Sequence, residues 1–259
     1  MRISFIGSGN VATHLALAFY GCGHVVEQVW SRNIDHANLL AARVEAQPVS
    51  DLGKLLGNAD AYILAIPDDA LFELAGDLRL GNALVLHTSG ATPIEVLKYC
   101  STRYGVLWAP QSFVRDAAMD YSELPFCIEG SDPKTEDEIA TLAGSVSSHI
   151  YRTSLGQRQY LHLAAVFVNN FTNGLYAVAQ QVCREQDVPF EVLYPIIQTT
   201  ARKAQWGDVR YQLTGPAVRN DRKTIDAHRR LLAHDSYMLE LYDRLTELLV
   251  KVKDTLAAR

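Results

Sequence analysis

Six residues near the amino terminus constrain this chain more than anything else in it. Gly7-Ser8-Gly9-Asn10-Val11-Ala12 follows directly on a short apolar run, Arg2 to Ile6, and leads into a helical stripe of Leu15, Ala16, Ala18 and Phe19. This is a GxGxxA pattern between a strand and a helix, the context that gives the pattern meaning. Gly7 permits the tight turn, and Gly9 leaves no Cβ in the way of an approaching pyrophosphate. Ala12 lets the helix lie close to the strand. The helix amino terminus then offers its unpaired N–H groups to phosphate oxygens. Gly7, Ser8, Gly9, Asn10 and Val11 are therefore expected to bind a dinucleotide; a glycine-rich turn without a ligand is the alternative.

The second strand reads Val25 to Trp30 and ends at Ser31-Arg32-Asn33. A fold that prefers NAD places a carboxylate at this strand end to hold the ribose 2′-hydroxyl. Here a hydroxyl and a guanidinium stand there, which suit a 2′-phosphate that a carboxylate would repel. Glu27 comes too early in the strand to take the carboxylate role. Ser31 and Arg32 thus point to NADP rather than NAD, unless Arg32 only opens the next helix at the surface.

Helical segments at 33–46 and 51–58 and strands at 47–49, 60–66, 83–87 and 104–108 continue the alternation, with further short strands at 126–129 and 150–153 around a helix at 134–147. Strands alternating with helices imply a doubly wound, mostly parallel Rossmann sheet, an α/β fold. Ligands bind such sheets beyond the carboxyl ends of the strands. That rule gathers Gly7–Val11, Ala65–Asp68, His87–Gly90 and Pro110–Ser112 at one edge, so Ala65, Ile66, Pro67 and Ser89 join the expected cofactor site.

Composition narrows the class further. Of 259 residues, 48% are hydrophobic and 20% charged, which suits a folded core and not a disordered chain. A formal net charge of −5 provides no basic field for nucleic acid. The longest apolar run, Leu161 to Val168, is far short of the roughly 20 residues that span a bilayer. Cys22, Cys100, Cys127 and Cys183 lie far apart without a CxxC pair, so neither a metal site nor a disulfide framework is expected. A cytoplasmic protein with a small-molecule substrate fits these numbers.

From about Leu155 the strand pattern stops, and everything to Arg259 reads as helix. The expected domains are therefore 1–154, dinucleotide-binding, and 155–259, an all-α domain for substrate and dimerisation. Gln157 to Asp187 reads as one long helix closed by Pro189. At about 100° per residue, His162, Asn169 and Asn173 share one stripe of it, with Asn170 at the edge. A polar line on an otherwise apolar helix calls for partners, which could be protein groups, water or a substrate. A second helix is expected at 191–206. Beyond the turn Thr214-Gly215-Pro216-Ala217, Asp221, Thr224 and His228 share a face; a capping box with surface polar residues accounts for the same spacing. The last segment, 231–256, carries Leu231, Leu232, Met238, Leu241, Leu245, Leu248, Leu249 and Val252 on a stripe fit for other helices or a second subunit.

The strand–GxGxxA–helix opening, Ser31-Arg32 and the helical second half resemble the superfamily of 6-phosphogluconate dehydrogenase, pyrroline-5-carboxylate reductase, prephenate dehydrogenase and deazaflavin-dependent NADP reductase. The chain looks more closely like a two-domain family, a Rossmann-like domain followed by a helical domain of unknown function, labelled NADP oxidoreductase. Pro110-Gln111-Ser112-Phe113, His162 to Phe167 with Asn170, and Leu213 to Ala217 with Arg219, Asp221, Thr224 and His228 carry this closer likeness. The hydroxyacid dehydrogenases of the superfamily place a lysine four residues before the helix asparagine; here that position is Val166. The likeness implies hydride transfer between NADP and a small carbonyl or imine substrate in an interdomain cleft. It also implies a homodimer through the helical domain. Within it His162 is the first candidate acid or base and His228 the second. Asn169 or Asn170 would orient the substrate, and Thr214 would add a hydroxyl. A sensor or interaction protein that binds NADP and has lost the reaction is the alternative.

Overall fold

The computed structural model describes residues 1–257. Eight strands form one sheet: β1 (Arg2–Ile6), β2 (Val25–Trp30), β3 (Gln47–Val49), β4 (Ala61–Leu64), β5 (Leu84–His87), β6 (Arg103–Trp108), β7 (Phe126–Gly130) and β8 (Ile150–Arg152). Their order is β3-β2-β1-β4-β5-β6-β7-β8, with every neighbouring pair parallel except β6 and β7. The chain thus winds outward from β1 through β2 and β3, then returns to build the other half from β4. The reversal lies between β1 and β4, where open α/β sheets hold their ligands.

Both faces of the sheet are covered, which is why its central strands are mostly apolar. Ile3 and Phe5 of β1 pack with Leu15 and Phe19 of α1 (Asn10–Gly21) and with Ile139 and Leu142 of α4 (Pro133–Gly144). Ile6, Tyr62, Leu64 and Val85 face the other way, onto Leu71 of α3 (Asp68–Asp77) and Leu97. Side chains set most helix starts. Asn33 accepts the Asp35 N–H at the head of α2 (Ile34–Ala41), and Asp132 accepts that of Thr135 ahead of α4. Gly9 heads α1 and supplies no side-chain cap, so these N–H groups remain available.

Several expected elements differ. Residues 51–58 form only a 3₁₀ turn, Leu52–Lys54, because Gly53 and Gly57 weaken a helix and Asp51 turns back onto the Gly53 N–H. The helix expected to reach Ala46 ends at Ala41, ahead of Glu45 with φ 52°. Residues 190–193 are 3₁₀, and α7 (Tyr194–Lys203) starts after them. The last helix, α9 (Ser236–Ala257), starts five residues late because Asp235 accepts the Met238 N–H and separates it from α8 (Arg222–Leu231).

The long helix from Leu155 is interrupted. α5 (Leu155–Ala165) passes through a π-helical segment, Val166–Phe171, into α6 (Thr172–Arg184). Ser154 and Gln157 close a reciprocal capping box at its start. Its apolar run is exposed rather than buried: Leu163, Phe167 and Val168 are more than half exposed, and Arg158 is the buried residue of α5.

The chain divides into two compact units, one of Met1–Leu175 and one starting at Tyr176. In the second, α8 rests on α9 through a 2.9 Å contact of His228 Nδ1 with the Tyr242 hydroxyl and an Arg229–Asp243 ion pair of 3.1 Å. Ala258 and Arg259, the end of the expected helical domain, lie outside the described residues.

Candidate functional site

The carboxyl ends of β1, β2 and β4 are drawn together by backbone hydrogen bonds. The Gly7 N–H donates to Trp30 O at 2.8 Å, and the Ala65 N–H to Ile6 O at 2.9 Å. Gly7 has φ +122°, and a Cβ there would lie 2.2 Å from the Ala65 carbonyl oxygen, so only glycine fits. At Gly9 a Cβ would meet nothing within 4 Å. Its backbone therefore faces open space at the head of an uncapped helix, as a diphosphate requires.

A cavity of about 340 Å³ opens here, lined by Gly7, Ser8, Gly9, Ser31, Arg32, Ala65, Ile66 and Pro67 among others. These are eight of the residues expected to hold the cofactor. Among the described residues no Asp or Glu lines it. Glu27, the acid of β2, is spent on Arg2, whose Nε donates to Glu27 Oε1 at 2.6 Å. The donors, the exposed guanidinium of Arg32 and the lack of a carboxylate fit a dinucleotide bearing a 2′-phosphate.

Three expected cofactor residues stand elsewhere. The Asn10 amide donates to Phe113 O at 3.0 Å, and Val11 packs on the core; neither lines this cavity. Ser89 Oγ is tied into its own turn, bonded to Thr92 Oγ1 at 3.0 Å and accepting the Ala91 and Thr92 N–H groups. Other residues were missed: Trp30 and Asn33, beside Ser31 and Arg32, also line the cavity. His36, one helical turn beyond Arg32, lines the cavity, and that spacing was available to find it. Arg115 donates to Ser8 O at 3.4 Å, from a segment that also meets buried His14 through the Val114 carbonyl at 2.8 Å. No local pattern marks a contact 107 residues apart.

The same segment begins at a second cavity, of about 280 Å³, lined by Trp108, Gln111, Ser112, His162, Asn169 and Asn170 among others. The Trp108 and His162 rings lie 6.0 Å apart between centroids. Asn169 and Asn170 lie within the π-helical segment, and both line this cavity with His162. Taking up an extra residue rotates the downstream side chains by roughly 100° relative to an uninterrupted helix. Asn173, expected in line, instead donates to Asn169 Oδ1 at 3.3 Å.

Beneath His162, Arg158 is fully buried. Its guanidinium pairs with Glu129 and donates to the carbonyls of Thr153 at 3.1 Å and Thr92 at 3.3 Å. This fastens α5 to β7 one turn before His162. Burial first, and the Arg158 charge second, push the His87 imidazole down to about 3. It is a neutral acceptor of the Ser89 N–H at 3.1 Å, not a proton donor. The other two expected catalytic residues belong to the second unit. Thr214 is exposed there, and His228 is half-buried against Tyr242.

Comparison with known proteins now bears on this arrangement. A structure described as a "putative NADP oxidoreductase" of Bacteroides fragilis is 38% identical over 96% of this chain and 98% of that one, with a TM-score of 0.90. The chain belongs to that family of NADP oxidoreductases. Two family models divide it: "NADP oxidoreductase coenzyme F420-dependent" over residues 2–89, and a domain of unknown function over residues 124–249. A protein of Thermotoga maritima matches with 22% identity and TM-score 0.75 over 98% of this chain and 99% of its own. A reductive aminase of Aspergillus terreus, solved with NADPH and ethyl-5-oxohexanoate, shares the fold at 16% identity and TM-score 0.71 over 96% of this chain and 93% of its own. Among proteins of curated function none matches. NADP is thus the family's cofactor, as the carboxylate-free cavity at Arg32 independently indicates.

Proposed function

We propose that this family member transfers a hydride between the nicotinamide of NADP(H) and a small carbonyl or imine substrate held against His162. NADP supplies the hydride chemistry, and the chain supplies orientation and the proton. Gly7, Gly9 and the head of α1 would hold the diphosphate, while Ser8, Ser31 and Arg32 would take the 2′-phosphate end. His162 would give or accept the proton, and Asn169 and Asn170 would orient the polarised double bond. His228 and Thr214 are assigned supporting roles, and the assigned domains are 1–154 and 155–259 with the substrate between them. The observation that carries the reading is the continuity of residues 111–115. Gln111 and Ser112 line the cavity of His162, and Phe113 to Arg115 are fastened to the glycine-rich turn.

The test is His162→Asn. It should lower kcat by about 10²-fold while NADPH affinity stays unchanged; a variant at full rate removes the role. Val166, where the resemblance leads one to expect lysine, favours a second reading, a sensor that binds NADP without turnover. Binding of NADPH with no oxidation across a panel of carbonyls and imines would select it. We also assign a homodimer through the helical domain. Its support is that, among the described residues, α6, α7 and α8 bury none of their side chains, while Phe167, Val168 and Ile196 are more than half exposed. Among the described residues no helix is long and apolar enough to cross a membrane, and a cytoplasmic location belongs to the proposal.

A further inference from the structure

A third cavity, of about 280 Å³, meets the cofactor cavity at Ser8 and His36, which line both. Thr13, Arg43, Arg115 and Asp116 supply the rest of its polar lining. Among the described residues Asp116 is the only carboxylate on either cavity, and it lies 3.8 Å from Arg43. Arg115 is half-buried, and one of its N–H groups donates to the Ser8 carbonyl at 3.4 Å. The remaining donors of that guanidinium, and its charge, are left for a ligand. The backbone that carries Arg115 is fixed at the two preceding residues. Asn10 Nδ2 donates to Phe113 O at 3.0 Å, and His14 Nε2 lies 2.8 Å from Val114 O. The His14 ring also stacks on Phe113 with centroids 5.2 Å apart. Asn10 and His14 both belong to α1, so Arg115 is tied to the helix that follows the glycine-rich turn. An arginine anchored in this way loses less freedom on meeting an anion than one on a free loop.

We propose that Arg115 is a second cofactor-selecting residue, reaching the 2′-phosphate of NADP from the adjoining cavity as Arg32 does from the cofactor cavity. The inference rests on the reading that places this phosphate at Ser8, Ser31 and Arg32, and adds a contact which that reading lacks. A phosphate monoester carries about −1.5 to −2 charges near neutral pH and three strong acceptor oxygens. One exposed guanidinium does not match that charge, and a second planar fork can pair with the oxygens that the first leaves over. His36, on both cavities, stands between the two arginines. NAD presents a ribose hydroxyl at the same place, which can accept an N–H but brings no charge. Arg115 therefore separates the two dinucleotides and leaves alone what they share.

NADPH and NADH differ only in that phosphate, and fluorescence titration gives the affinity of each for the parent, Arg115→Gln and Arg115→Lys. Arg115→Gln should weaken NADPH by about tenfold, one charge-assisted hydrogen bond at a half-exposed site, and NADH by less than about twofold. Arg115→Lys keeps the charge and loses the fork, so it should fall between. The ³¹P spectrum of bound NADP⁺ adds a readout that a structural role would not move. In Arg115→Gln the 2′-phosphate signal should titrate at higher pH, because a neighbouring positive charge is gone, while the diphosphate signals stay in place. An unchanged ratio of the two affinities, as when both nucleotides weaken by one factor, overturns the inference. So does a bound 2′-phosphate that titrates as it does in the parent. If Arg32→Gln changes the ratio and Arg115→Gln does not, the placement of the 2′-phosphate stands and the role of Arg115 falls. A ratio that moves with Arg115→Gln alone keeps that role and removes Arg32 from the site. Turnover enters none of these measurements, so the hydride-transfer reading stands or falls separately.

Discussion

Gly7→Ala and Gly9→Ala make the same chemical change two residues apart, and the structure assigns them opposite consequences. At Gly7 the added methyl would stand 2.2 Å from the Ala65 carbonyl oxygen, on a residue whose φ of +122° excludes side chains. Holding alanine in that backbone region costs about 1–3 kcal/mol. Relieving the contact means parting β1 from β4 beside the 2.9 Å bond from the Ala65 N–H to Ile6 O, worth about 1 kcal/mol more. A total of about 2–4 kcal/mol lowers the Tm by roughly 4–16 °C in a chain of this size. At Gly9 the methyl meets nothing, and φ is an ordinary −76°. The less flexible unfolded chain should then make Gly9→Ala neutral or up to about 1 kcal/mol more stable. The same methyl projects toward the expected diphosphate, so NADPH affinity should fall by about tenfold or more, one charge-assisted hydrogen bond or better. Thermal denaturation without cofactor and fluorescence titration with NADPH separate the two effects. If Gly9→Ala binds NADPH like the parent, the diphosphate does not lie at this turn. If Gly7→Ala melts with the parent, the close approach of β1 to Ala65 is not what requires glycine.

Arg32→Asp should weaken NADPH by about 10–10²-fold, one charge-assisted contact discounted for an exposed side chain, and NADH should be affected little; competitive titration of both nucleotides reads the change. Arg158→Met removes a fully buried guanidinium from Glu129, whose own side chain is 26% exposed. It should cost about 2–4 kcal/mol in urea unfolding, since water relieves only part of the stranded charge. His87 gives the stability a slope in acid. Its folded value of about 3 lies below the ordinary 6.5, so between the two the unfolded chain binds the extra proton. Stability should therefore be intact above pH 6.5 and fall by up to about 1.4 kcal/mol per pH unit from there toward 3; His87→Gln should flatten that slope.

What the sequence made legible was local. The strand, glycine turn and helix from Arg2 to Gly21 are written in consecutive residues, and so is the exchange of a carboxylate for Ser31-Arg32 at the end of β2. The mostly parallel sheet followed from alternation alone. Where local signals misled, a short-range interaction of the backbone had won. Asp51 bonding to the Gly53 N–H defeats a helix whose apolar spacing is adequate, and Asp235 bonding to that of Met238 restarts one that periodicity would run through. Exposure misled in the other direction, because apolar periodicity reports which face of a helix seeks a partner and not whether that partner lies in the same chain.

The site divides along the same line. His162 and Asn170 were recognisable as polar residues on an apolar helix, yet ideal geometry put Asn170 about 80° away from His162. Both line one cavity nonetheless, and nothing in the sequence of Val166–Phe171 announces that Asn170 sits in a π-helical segment. Arg115 and the Phe113 carbonyl reach the glycine-rich turn across more than a hundred residues, through contacts that exist only after the sheet has formed. Polar residues on one element announce that a site exists; what that site selects depends on which of their atoms neighbours have already used.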